Sequence, residues 1–208
     1  MMRSTRRPLL PAATAWVLAT VIAGCANAPA GMDKPAMTAA TPAAAQPPAA
    51  APAVASAPVR YFAVLPENER YYLFTDYKLY SIYLEHDEVA LTKTRIGASP
   101  KGTTVVFGMT NADAKSTGPL LAEQLFDGKL VPGMDFYGEV FKDGRYYVFN
   151  AFDDMRSFLE HGEVAYAFTD IGAGPNGATL VWVLNKNSIK KGRPEATIAT
   201  FNALRAKK

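Results

Sequence analysis

Twenty residues starting at Arg70 read RYYLFTDYKLYSIYLEHDEV, and twenty starting at Arg145 read RYYVFNAFDDMRSFLEHGEV. This repetition constrains the fold more than any other feature, because whatever one copy forms the other must form too. Aligned at an offset of 75, residues 70–115 match residues 145–190 at 19 of 46 positions without a gap. The register continues outward, with Tyr61 meeting Phe136, Pro119 meeting Pro194 and Phe126 meeting Phe201. Self-similarity at a fixed period marks an internal duplication. The sequence predicts two consecutive units, residues 59–133 and 134–208.

Each unit reads the same way by period. A short strand (residues 61–65, or 136–141) leads through a turn into RYYLF or RYYVF, aromatic on both faces and so suited to a central position. Asp143-Gly144 is a two-residue hairpin signal. The spacing then turns helical, through Tyr77, Tyr80, Tyr83 and Leu84 in one unit and Phe152, Met155, Phe158 and Leu159 in the other. Asp76 and Asn150 are the expected N-caps. Asp87 and Gly162 suit the left-handed residue that ends a helix.

Two more strands follow, with Val164, Tyr166 and Phe168 on one face of the third and Leu180, Trp182 and Leu184 on one face of the fourth. They are joined by ASPKGTT or AGPNGAT, which have the chemistry of turns. Pro119 and Pro194 open a last helix as its first residue. The expected fold class is therefore α+β, two tandem ββαββα repeats of about 75 residues packed pseudosymmetrically. One such unit alone has a marginal core. Two pressed together bury more and leave a central cleft lined by equivalent residues.

The N-terminus points elsewhere. Arg3, Arg6 and Arg7 precede an apolar run over residues 12–23, too short to span a bilayer and shaped like a secretory signal. It closes on IAGC, residues 22–25, and Cys25 is the sole cysteine. This resembles the lipobox of bacterial lipoproteins. The resemblance implies cleavage before Cys25, acylation of its thiol with palmitate among the chains, and a membrane partner through that anchor. Ala26 after the cysteine fits export to the outer membrane. Residues 1–24 are then signal peptide, and residues 25–58 are a lipidated, Ala/Pro-rich tether that holds the domain in the periplasm. Residues 26–58 hold 15 Ala and 7 Pro among 33, a composition that cannot build a core.

Removing Arg3, Arg6, Arg7 and Lys34 from the 22 basic residues, and Asp33 from the 19 acidic ones, leaves 18 of each in residues 59–208. The folded part is neutral, so the basic balance of the whole chain gives no case for nucleic acid. With no second cysteine it has no disulfide, and its stability rests on packing.

The only two histidines, His86 and His161, sit at matching places in E-H-x-E, followed by Glu88 and Glu163. Brought together by symmetry, these four side chains could hold a divalent metal. The alternative is that each histidine caps carbonyls at a helix C-terminus. Arg95 and Asp170 occupy matching positions with opposite charge and would pair if the third strands met. No nucleophile motif or catalytic carboxylate spacing stands out, and no cofactor is implied beyond that metal. The sequence thus reads as a non-enzymatic binding protein whose partner is a protein or another envelope component. A metal- or small-ligand-binding protein using the histidines, with an enzyme among its forms, is the alternative.

Overall fold

The computed structural model describes residues 53–55, 58–67 and 70–206. The signal segment, Cys25 and most of the tether lie outside the described residues. The described residues belong to one compact unit. Within the segment read as spacer, β1 (Ala53–Ala55) runs parallel to β6 (Leu130–Pro132).

The main sheet is mixed and eight-stranded. From one half it takes β2 (Val59–Leu65), β3 (Tyr71–Phe74), β4 (Thr92–Arg95) and β5 (Val105–Gly108). From the other it takes β7 (Phe136–Lys142), β8 (Arg145–Phe149), β9 (Tyr166–Asp170) and β10 (Thr179–Leu184). The spatial order is β4-β5-β3-β2-β7-β8-β10-β9. Strands β2 and β7 pair in parallel at the centre, from Val59 beside Phe136 to Leu65 beside Lys142. The halves therefore join edge to edge in one sheet, which corrects the expectation that they press together around a single central cleft.

Among the described residues the α-helices are α1 (Tyr77–His86), α2 (Asn111–Lys115), α3 (Leu121–Phe126), α4 (Phe152–His161) and α5 (Glu195–Arg205); all but α2, which buries no residue, pack on the sheet. Strand alternation sends neighbouring side chains to opposite faces. Tyr61 and Ala63 of β2 join a core with α3 and α4, through Leu125, Phe152, Met155 and Phe158. Phe62 and Val64 join a second core with α1 and α5, through Tyr80, Tyr83, Phe201 and Leu204. Each face thus carries a middle helix from one half and a last helix from the other. β10 is buried on both sides, with Leu180 and Trp182 in one core and Val181 and Val183 in the other. The one-sided pattern expected for it does not hold.

Local chemistry explains the helix ends. Asp76 accepts the Leu79 amide at 2.9 Å and caps α1. The α4 cap is Ala151, not Asn150, and no side chain serves it; Asp153 and Asp154 in the first turn complement the helix dipole instead. Asp87 and Gly162 both take the left-handed conformation, at φ 58° and 78°, and return their amides to Tyr83 and Phe158. Pro194 is a cap residue preceding α5, and α3 starts two residues after Pro119.

One register differs from the ungapped alignment. Val64 pairs with Tyr72 across the first hairpin, and Val140 pairs with Tyr147 across the second. The second hairpin is one residue shorter because Asp143 and Gly144 make a tight turn with both φ positive. Structurally, Tyr61 therefore corresponds to Tyr137, Phe62 to Gly138 and Ala63 to Glu139.

Gly108 ends β5 against the ring of Phe74, and a Cβ there would overlap two ring carbons. Phe74 is fully buried and has nowhere to swing. Gly108→Ala should destabilise the domain by about 1–3 kcal/mol, more than the ~0.5–1 kcal/mol that replacing a strand glycine returns. The midpoint and slope of urea unfolding measure this.

Candidate functional site

The face swap creates two clefts, one on each side of the sheet. The first lies between α4 of the second half and the loop after β4 together with α3 of the first. It encloses about 330 Å³ and is lined by Tyr61, Pro100, Phe126, Phe152, Arg156 and Leu159, among others. The second lies between α1 of the first half and the loop after β9 together with Arg205 of the second, at about 410 Å³. The lining corresponds at the same offset: Phe152 with Tyr77, Arg156 with Ser81, Leu159 with Leu84, Glu160 with Glu85, and Pro100 with Pro175.

The two clefts differ in chemistry. On the α1 side, Glu139 is fully buried in β7. Arg205 at the end of α5 meets it with two contacts, at 2.7 and 3.0 Å. Tyr137 donates to the same carboxylate at 2.5 Å. The guanidinium also lies 3.4 Å from the Phe201 ring centroid and 5.0 Å from that of Tyr146. Burial, and then the Glu139 charge, push the Tyr137 phenol far above its ordinary value, so its proton stays on oxygen as a donor. The Tyr80 hydroxyl is buried nearby without a partner among the described residues.

On the α4 side the charged residues that line the cleft, Arg156 and Glu160, are exposed. Tyr61 is 1% exposed, and its hydroxyl has no hydrogen-bond partner among the described residues. Burial drives its phenol well upward, with the Asp127 charge adding to the effect. Ser99 at the rim is already engaged, 2.7 Å from the Thr103 hydroxyl. Arg156 forms an ion pair with Glu160 at 3.1 Å and reaches across toward Gly128 beyond α3. Tyr71, from the first half, donates to the Leu159 carbonyl at 2.9 Å, satisfying an unpaired group at the end of α4.

The four proposed metal ligands are not assembled. His86 ends α1 and His161 ends α4, on opposite faces of the sheet, and both are exposed, as are Glu88 and Glu163. The parallel β2–β7 junction separates the matching positions instead of joining them. Among the described residues no group of three or more His, Cys, Asp or Glu could hold a metal ion. His161 Nδ1 lies 3.0 Å from the Ser157 carbonyl within its own helix. His161 and Glu163 border a separate surface hollow of about 410 Å³ with Lys101 and Lys142.

Arg95 and Asp170 do not meet either, since β4 and β9 are the two outer edges of the sheet. Arg95 pairs with Asp127 at 2.7 Å and lies over Phe107 and Phe126. Asp170 accepts the Trp182 indole N–H at 2.7 Å and pairs with Arg193. Phe107 and Trp182 are matching residues, so each edge charge suits its aromatic neighbour: a cation over a phenyl ring and an acceptor for an indole.

Sequence reasoning missed Glu139, Arg205 and the isolated hydroxyl of Tyr61. Glu139 did leave a signal, as the one acid within the apolar strand FYGEVF. No protein-family model, curated protein or solved structure matches the chain.

Two outcomes follow from these pairs. Arg205→Ala strands a buried carboxylate and should cost about 3–5 kcal/mol, while the double change Glu139→Leu/Arg205→Met should cost clearly less; urea unfolding of both variants gives the comparison. Separately, the hydrogen bond from Arg193, and then that from Trp182, holds the Asp170 carboxyl below the ordinary aspartate value. A lowered folded-state value means stability present above the unfolded value of about 3.9 and lost as pH falls through the folded one. Asp170→Asn should therefore be less stable than wild type at pH 7, with the difference shrinking from about pH 5 downward in urea titrations.

Proposed function

We infer that this chain is an outer-membrane lipoprotein, acylated at Cys25, whose duplicated ββαββα domain binds an envelope component without transforming it. The lipobox at residues 22–25 and the Ala/Pro-rich segment that follows support the anchor and the tether. More than one acyl chain is needed for stable anchoring, which N-terminal lipidation at such a cysteine supplies. The duplication is supported by the 19 identities in 46 positions and by a strand order in which first, second, third and fourth strands fall at mirrored positions in the two halves.

The observation that carries the binding reading is the first cleft. It is concave, largely apolar and built by both halves, and it holds a few convergent polar groups, the pattern of a small-molecule site. Its size suits a small molecule better than a protein segment. No constellation of nucleophile, base and oxyanion donors lines it, which favours binding over turnover.

The test uses the full chain. Labelled palmitate should be incorporated, and the protein should fractionate with the outer membrane; Cys25→Ser should abolish both. Native mass spectrometry of the lipidated protein should find a non-covalent small-molecule adduct that is absent from Ala98→Trp, whose indole fills the cleft. A protein that incorporates no palmitate sinks the anchor. Identical spectra for the wild type and the filled variant sink the binding reading.

A further inference from the structure

We propose that the β9 edge of the sheet is a self-association surface, which pairs antiparallel with β9 of a second copy of this chain. No β9 residue lines either cleft, so this surface is separate from both. The two outer strands, β4 and β9, stand at matching places in the two halves, and each edge serves as a control for the other. Each strand pairs with one neighbour only, β4 with β5 and β9 with β10. An edge of this kind presents a row of backbone donors and acceptors to any further strand.

The side chains along the two edges differ. β4 reads TKTR, with Lys93 paired to Glu123 at 2.8 Å and Arg95 to Asp127 at 2.7 Å. Cations on an edge strand are a common guard against unwanted pairing. β9 reads YAFTD and has no cation; at the same offset of 75, Phe168 stands where β4 has Lys93, and Asp170 where it has Arg95. Its one charge, Asp170, is held by Arg193 and by the Trp182 indole. Tyr166 is 43% exposed, on the same face of the strand as the half-buried Phe168.

The β9 sequence is complementary to itself. In an antiparallel register centred on Phe168, that ring faces Phe168 of the second copy, Ala167 faces its Thr169, and Tyr166 faces its Asp170. No like charges lie opposite one another, and an aromatic pair sits on the twofold axis. β4 fails the same test. In the equivalent register Lys93 would face Lys93 of the second copy, and in the register centred on Thr94 it would face Arg95, like charges directly opposed in both cases. One open edge and one guarded edge also set the size of the assembly. Pairing β9 with β9 uses both open edges and leaves a guarded β4 at each end, so the sheet closes as a twofold dimer; two open edges on one chain would propagate into a fibre. Five residues a side make a short seam, so the dimer is reversible.

Sedimentation of the full-length lipidated protein in density-matched detergent, from about 1 μM to about 1 mM, covers the range of weak complexes. Wild type should pass from monomer to dimer as concentration rises, and no further. Phe168→Lys transplants the guard found at position 93 and should weaken the dimer about tenfold or more, while a cooperative urea transition shows the variant folded. Cross-linking reads the register independently of that variant. Chains carrying Ala167→Cys, mixed with chains carrying Thr169→Cys, should form a disulfide dimer on mild oxidation more readily than either alone, with the unsubstituted chain as the control for Cys25. Thr94→Cys on β4 should give no such dimer. A wild type that stays monomeric to the upper limit overturns the proposal, as does a dimer that the folded Phe168→Lys variant leaves intact. Cross-linking through position 94 in place of the 167 and 169 pair, or growth beyond a dimer, overturns it equally.

Discussion

Everything in this fold follows from the parallel pairing of β2 with β7. Two similar units joined through antiparallel strands would carry their matching helices on the same face of the sheet. Joined through parallel strands, they are related by a rotation about the strand direction, and the faces exchange. That is why α1 shares a core with α5 and α4 shares one with α3. It is also why the strands near the centre are largely apolar on both sides, Arg60 and Glu139 apart: each face is covered, so little of any central strand is left wet.

The exchange gives the protein two related chambers with different contents. Around Glu139 the chamber on the α1 side is an internal ionic knot, with a carboxylate, a guanidinium and a phenol satisfying one another in a low-dielectric interior. Such a knot contributes little net stability compared with an apolar filling, but it penalises any packing that separates its members. The chamber on the α4 side keeps only the phenol. In the duplication we propose, one ancestral position has diverged into Glu139 in one half and Ala63 in the other.

What could be read from the chain follows the range of each interaction. The helices α1 and α4, their left-handed ends at Asp87 and Gly162, and the Asp143-Gly144 turn are set by neighbours within a few residues, and their patterns lie in plain sequence. The strand order is not local. Aromatic residues on both sides of RYYLF signalled burial on two faces but not which strand lay beside it. The pairing of Arg95 with Asp170 failed for that reason, since matching positions were assumed to meet, whereas this junction sends them to opposite rims. Tyr61 was hidden by a single residue of hairpin length, which shifts its counterpart from Phe136 to Tyr137. Glu139 was visible as an acid in an apolar strand, but its partner lies 66 residues away, on the last helix.

The central seam also bears on what one unit could do by itself. Cut between β6 and β7, either fragment would expose a seven-residue strand along its whole length, beside a sheet surface missing one of its two covering helices. The nearest cure for such an edge is an identical edge. A lone unit would be driven into a twofold homodimer, joined strand to strand and trading helices across the seam. Fusing two such units in one chain makes that encounter intramolecular, and it frees each chamber to drift on its own, a liberty that identical subunits bound by symmetry never have.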